Sequence, residues 1–423
     1  MLGMLVNALY NLADAYFVSA LGESQMGAIS VVFPIGQVIV GLGLLFGNGA
    51  ASYISRLLGK GDKEKSNKAA STAIYSSIFA GAIVIIISLI FLKPILKLLG
   101  ATESILPYAV TYSSIYIVSC IFNVFNVAMN NIVTSEGAAK TTMCALMSGA
   151  ILNIVLDSIF INVLDLGVAG AAIATAVSQF VSTIIYLLYI FRRKSVFQFK
   201  LKDCCFSKEI LTEIFKIGVP TLVFQILTSI SITLINNTSS DYGDSAITGM
   251  GVVTRLVSMG SLTVFGFIKG FQPIAGFSYG AKNITRLNNA IKVSIIWSTA
   301  FCTIYGLVLT LFSTPIASQF SENTEMITIA SDSLKINGIT FTLFGFYTVY
   351  SSLFLALGKG KEGFILGACR QGICFVPVIL IVPMICGING ILYAQPIADV
   401  LSAIITIFMA VNLHKSLKTR KNT

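Results

Sequence analysis

Charge is scarce in this chain. Of 423 residues, 11% are Asp, Glu, Lys or Arg and 55% are hydrophobic, whereas an ordinary soluble domain carries about 25% charged residues. That class is excluded. Histidine is reduced to His414, close to the C-terminal end. No Ser–His couple or metal-ligand cluster can be picked out in the apolar stretches, which argues against a membrane enzyme. No G-x-x-x-x-G-K-[ST] phosphate loop occurs, so ATP-driven work by this chain alone is not expected. The eight cysteines include no C-x-x-C. Most lie in apolar runs, and Cys204–Cys205 falls in a basic loop, so no disulfide framework is expected.

What fills the sequence instead is a succession of apolar runs of about 20 residues, the length that crosses a bilayer as a helix. Twelve are read, over 2–20, 26–50, 70–92, 108–132, 142–163, 168–191, 217–239, 245–272, 293–313, 328–355, 364–385 and 389–412. They do not alternate over short segments, which excludes a β-barrel. Pro34, Pro273, Pro377, Pro383 and Pro396 lie in or at the ends of these runs and are candidate kink sites. The net charge of +10 does not read as a nucleic-acid surface. Lysines and arginines gather in alternate loops, in the linker and in the tail, while the opposite loops hold only Lys93 and Lys97. This is the positive-inside bias, and it places both termini in the cytoplasm. The first run carries Asp14, unlike the core of a cleavable signal peptide.

The runs are written twice. Gly22 and Gly243, Gly59 and Gly280, Pro94 and Pro315, and Gly137 and Gly358 recur at one spacing, and Gly167 and Gly170 match Gly387 and Gly390 after a single-residue slip. The expected fold is an all-α integral membrane protein of twelve helices in two six-helix lobes. An even number per lobe relates them by a pseudo-two-fold axis along the membrane normal. The lobes are read as 1–191 and 217–412, with a cytoplasmic linker at 192–216 and a basic tail at 413–423. Gly43-x-x-x-Gly47 and Gly266-x-x-x-Gly270 are candidate close helix contacts.

Intramembrane charge is costly, so each case is a functional candidate. Asp157 stands four residues after Asn153, which places both side chains on one helix face. A carboxylate with an amide oxygen suits Na⁺, or a proton where burial raises the acid's pKa. Asn11 and Asp14 repeat the theme in the first helix, and the two acids together would share one proton or cation. The bland reading is a pair of buried acids that lock helices together. Arg255 either neutralises a carboxylate such as Asp399 or reaches toward the outer interface, and Arg370 has the same two readings. Asp399 is either a second coupling site or an arginine's partner. Gln179 holds its aligned place in the first half. Lys269 and Lys335 snorkel from helix ends. Among the aromatics of the fourth helix, Tyr112 is the candidate to hold a flat or cationic ligand by its π face.

MLVNALYNLAD, RLLGKGDKEKSNKA, EGAAK, LNIVLDSIFI, GVAGAAIATAVSQ and AQPIAD together resemble the multidrug and toxic compound extrusion (MATE) family. GFQPIAGFSYGAKN and CRQGICFVPVILIVP are similar to its bacterial MepA-like subgroup. The resemblance spans essentially the whole chain. It implies two six-helix lobes and export of small organic, mostly cationic drugs in exchange for Na⁺ or H⁺, with no other cofactor. It matches the family's cation site to Asp14, Asn153, Asp157 and Thr175, which would also be the Na⁺ ligands, and its polar pair in the fourth helix to Tyr112 and Asn130. With Gln225, Arg255 and Asp399, these last two make up the expected substrate cavity. The seventh helix has no acid where some members place one, and Gln225 is its most conspicuous polar residue. Members usually carry residues ahead of the first helix, and this chain has almost none, as a truncated start would. The expected partners are cationic substrates and membrane lipid, with no nucleic acid, and the expected state is a monomer. The rival readings are a flippase for a lipid-linked saccharide, from the wider superfamily, and an exporter of a metabolite such as a flavin.

Overall fold

The computed structural model describes residues 23–99 and 101–421. Asn11 and Asp14, and the first expected span, lie outside the described residues. The helices are α1 Glu23–Lys60, α2 Lys63–Ile90, α3 Leu92–Leu98, α4 Leu106–Ser135, α5 Ala139–Asp157, α6 Gly167–Phe191, α7 Lys208–Ser240, α8 Asp244–Gly280, α9 Ile284–Leu311, α10 Ser313–Ala317, α11 Thr324–Ala356, α12 Gly360–Ala368, α13 Phe375–Cys386 and α14 Ile388–Lys421. A π-helical turn, Ser158–Val163, continues α5, and another, Cys369–Ile373, joins α12 to α13. Among the described residues, eleven helical stretches are long and apolar enough to cross a membrane. Their outer surfaces agree: Met384 is 87% exposed, Ile385 78% and Phe79 70%. Such side chains are stable there only against lipid.

The chain forms two compact units that divide between Leu222 and Val223. In the first unit, α1 packs on α4 through the small residues read from the sequence. A Cβ on Gly43 would come within 2.7 Å of Val127, and one on Gly47 within 2.7 Å of the Ala128 Cα. The other glycine pair differs from its expectation, because a Cβ on Gly270 would meet nothing within 4 Å. Of the prolines, Pro34, Pro273, Pro383 and Pro396 lie inside helices, and so does Pro220 of α7. Pro377 falls in the first turn of α13, where no α-helical hydrogen bond within that helix is lost.

The duplication extends to the elements. α2 and α9 have both ends displaced by 221 positions (63 to 284, 90 to 311). Their caps correspond: the Asp62 carboxylate accepts from the Lys65 N–H at 3.0 Å, and Asn283 Oδ1 accepts from the Arg286 N–H at 2.9 Å. The residue before each cap is left-handed, Gly61 at φ 82° and Lys282 at φ 57°.

Segment 192–222 belongs to the first unit. Glu136, just past α4, accepts from Tyr189 Oη at 2.8 Å, from Ser195 Oγ at 2.9 Å and from the Val196 N–H at 2.8 Å. Asn67 donates to Asp203 at 2.7 Å and accepts from the Gln198 N–H at 2.8 Å. At the start of α7, Glu209 pairs with Lys65 and Glu213 with Arg56, each at 2.6 Å. The stretch that reads as a polar linker is therefore fastened, and α7 begins nine residues before its apolar run.

Candidate functional site

α5 and α6 approach closely at Gly149, because a Cβ there would collide with Ser182 Oγ on α6. One and two turns further along the same face of α5 come Asn153 and Asp157. Thr175 faces them from α6. All three are enclosed: Asp157 is 0% exposed, Asn153 2% and Thr175 6%. The Asn153 nitrogen donates to Asp157 Oδ2 at 2.8 Å and its oxygen accepts from the Thr175 N–H at 3.1 Å. This orientation of the amide satisfies both groups.

A polar ladder runs along α6 from this cluster. Asn126 of α4 donates to the Gln179 carbonyl at 2.8 Å and to its Oε1 at 2.9 Å, and Thr183 Oγ1 donates to Asn126 Oδ1 at 2.9 Å. Asn130 donates to Tyr186 Oη at 3.2 Å. Sequence reasoning missed the Asn126–Gln179–Thr183 part. The signal was there: Thr175, Gln179 and Thr183 repeat every four residues in an apolar helix, which makes one polar stripe.

Tyr112 is buried and stacks on Tyr116, with ring centres 5.5 Å apart. Gln225 is half-buried in α7, and Arg255 is exposed on α8. Asp399, in the second unit, is met by Arg370 and not by Arg255. Arg370 Nε donates to Oδ1 at 2.8 Å and Nη2 to Oδ2 at 3.4 Å, and Gln395 adds a donor at 2.8 Å. The guanidinium also lies over the Phe344 ring, 4.5 Å from its centre. Arg370 belongs to the π-helical turn, whose closing bond runs from the Cys374 N–H to the Cys369 carbonyl at 2.9 Å. This wider turn changes which face Arg370 occupies, and so brings it to α14. Lys335 pairs with Asp332 at 2.9 Å. The carboxylate, amide and hydroxyl oxygens gathered at Asp157 are hard donors, the chemistry that suits a monovalent cation or a proton.

Two repeated, all-helical, lipid-facing units, one enclosing an acid, an amide and a hydroxyl, define a polytopic membrane transporter. The MatE family profile matches residues 1–159 and 220–381, and the chain belongs to that family, which is one of transporters and not of enzymes. The chain is 30% identical over 422 residues to the multidrug export protein MepA of Staphylococcus saprophyticus, covering 100% of this chain and 93% of that one. It is 31% identical over 405 residues to MepA of Staphylococcus aureus, covering 96% and 89%. Among solved structures it is similar to the outward-facing conformation of a multidrug resistance MATE transporter of the MOP superfamily, with a TM-score of 0.93 at 27% identity over 100% of this chain and 94% of that one. A MOP superfamily transporter from Pyrococcus furiosus, described as having a binding pocket of reverse polarity, gives the same TM-score of 0.93 at 27% identity over 98% and 94%.

Proposed function

We propose that this chain exports lipophilic organic cations and drugs across the bacterial cell membrane in exchange for Na⁺ or H⁺. The observation that carries the reading is the enclosed cluster of Asp157, Asn153 and Thr175. With the outward side open, the coupling ion binds there together with Asp14. Cargo and ion bind in competition, and each lowers the affinity for the other by the same factor. The halves 1–191 and 217–412 alternate access around a pseudo-two-fold axis, and both termini are cytoplasmic. The cargo needs an apolar, aromatic surface more than specific bonds, and Tyr112, Asn130, Gln225 and Arg255 are the residues proposed to meet it. The relatives named as multidrug export proteins support this cargo class. The charge of Arg370 is taken up by Asp399, which removes one of the two cationic residues on which a lipid-linked saccharide flippase would rely.

The test is efflux of ethidium from proteoliposomes under a Na⁺ gradient or a pH gradient imposed separately. The expected outcome is efflux driven by one gradient and abolished by Asp157→Asn, with the variant still eluting as a folded protein. Folded wild type driven by neither gradient would overturn the reading and direct the search to a different cargo, a flavin among them.

A further inference from the structure

We propose that the first turns of α7, with Phe206 just ahead of them, form a binding site for an anionic phospholipid. The helix begins at Lys208, and Ser207 Oγ accepts from the Ile210 N–H at 3.3 Å. Its two faces are sharply divided. Ile210, Ile214 and Ile217 are buried against the first unit, and both acids of these turns, Glu209 and Glu213, are held by Lys65 and Arg56 at 2.6 Å. On the open side, Lys208, Leu211, Thr212, Phe215 and Lys216 recur at helical spacing and form one stripe. With Phe206 they line an open cleft of about 560 Å³. Phe206 is 66% exposed and Phe215 40%. Lys216 keeps only a 3.6 Å contact with Glu213, whose charge Arg56 already shares.

An apolar floor with a cation at either end fits one class of ligand. A soluble anion has no use for two exposed phenyl rings, and a neutral lipid has none for two lysines. A phosphodiester headgroup on the ammonium groups, with its acyl chain laid over Phe206 and Phe215, uses both. The stripe occupies the polar turns just ahead of the apolar run of a helix long and apolar enough to cross a membrane, on the headgroup side of that run. Eight residues separate the lysines, about 12 Å along the axis. That exceeds the reach of one phosphate and suits two, either in neighbouring headgroups or in a diphosphatidyl lipid. The inference depends on α7 crossing the membrane and not on the cargo or the coupling ion.

The full-length chain, purified in detergent, is incubated with phosphatidylglycerol, diphosphatidylglycerol or phosphatidylcholine, and bound lipid is counted by native mass spectrometry. Wild type is expected to retain both anionic lipids over phosphatidylcholine. K208Q/K216Q is expected to retain them about thirtyfold less, and F206A/F215A also less. Charge-conserving K208R/K216R is expected to match wild type, which separates lost charge from lost folding. Glycerol 1-phosphate is expected not to compete. Equal retention of anionic and neutral lipid by wild type, unchanged retention by folded K208Q/K216Q, or displacement by glycerol 1-phosphate would each overturn the proposal. None of these outcomes bears on ethidium efflux, so the two readings fail separately.

Discussion

Asp157 and Asp399 show how differently two buried acids can be treated. Asp157 is met by an amide and lies next to a hydroxyl, and Asp399 by a guanidinium and a second amide. Removing one partner of a buried pair leaves the other charge stranded, at about 3–5 kcal/mol, whereas replacing both by apolar groups is often neutral or stabilising. Arg370→Gln is therefore expected to lower the melting temperature in detergent markedly, and Arg370→Met with Asp399→Leu to recover most of the loss. If the double variant melts as early as the single one, the pair has a role beyond mutual neutralisation. Asn153→Ala leaves the carboxylate without its amide and is expected to weaken coupling-ion dependence more than it lowers stability. Efflux measured against Na⁺ concentration and pH reads the difference. The proximity of Asn153 and Asp157 was legible, because four residues on a helix fix it. The pairing of Arg370 with Asp399 was not. It depends on a π-helical turn that leaves no mark in the residue types, so Arg255 stood as an equal candidate.

Eleven of the twelve expected helices are met among the described residues, at roughly the expected extent, because lipid demands long apolar runs. Their ends were not legible. α7 extends to Lys208 because Glu209 and Glu213 find cations on α1 and α2, and a helix turn that is polar in sequence reads as linker until its partners are known. Close packing of α5 on α6 is set at Gly149, one turn from Asn153. Gly149→Leu would drive these helices apart, with an expected loss of about 1–3 kcal/mol and of efflux, measured by thermal unfolding and by the liposome assay. The loop after α6 carries its own pH dependence. Burial holds the Glu136 carboxyl above its ordinary range despite three hydrogen bonds that pull it down. A raised acid contributes stability that is fully present below its unfolded pKa and is lost as pH rises through the folded one. Wild type is thus expected to lose stability relative to Glu136→Gln as pH climbs from the ordinary carboxylate value to the raised one. Parallel melting curves of the two proteins across that interval would contradict this.

For the molecule as a whole, lysine placement predicts that a fluorescent reporter fused after Thr423 fluoresces in the cytoplasm, while an exported phosphatase at the same site stays inactive. The reverse pattern would invert the orientation proposed for every loop. The spacing between the halves, visible first in a few glycines and prolines, recurs in helix ends and caps. The charges did not travel with it: Arg370 stands where the first half has Gly149. The turn before α9 carries the same history in miniature. Gly61 suits a left-handed backbone with open space around its Cα, yet its repeat is Lys282, in the same conformation. A side chain there costs about 1 kcal/mol, so the shape of the turn has outlasted the residue best fitted to it. In a duplicated gene, geometry is then inherited more faithfully than spelling. Lys282→Gly should melt later than the present protein, and Gly61→Lys should melt earlier by a similar margin.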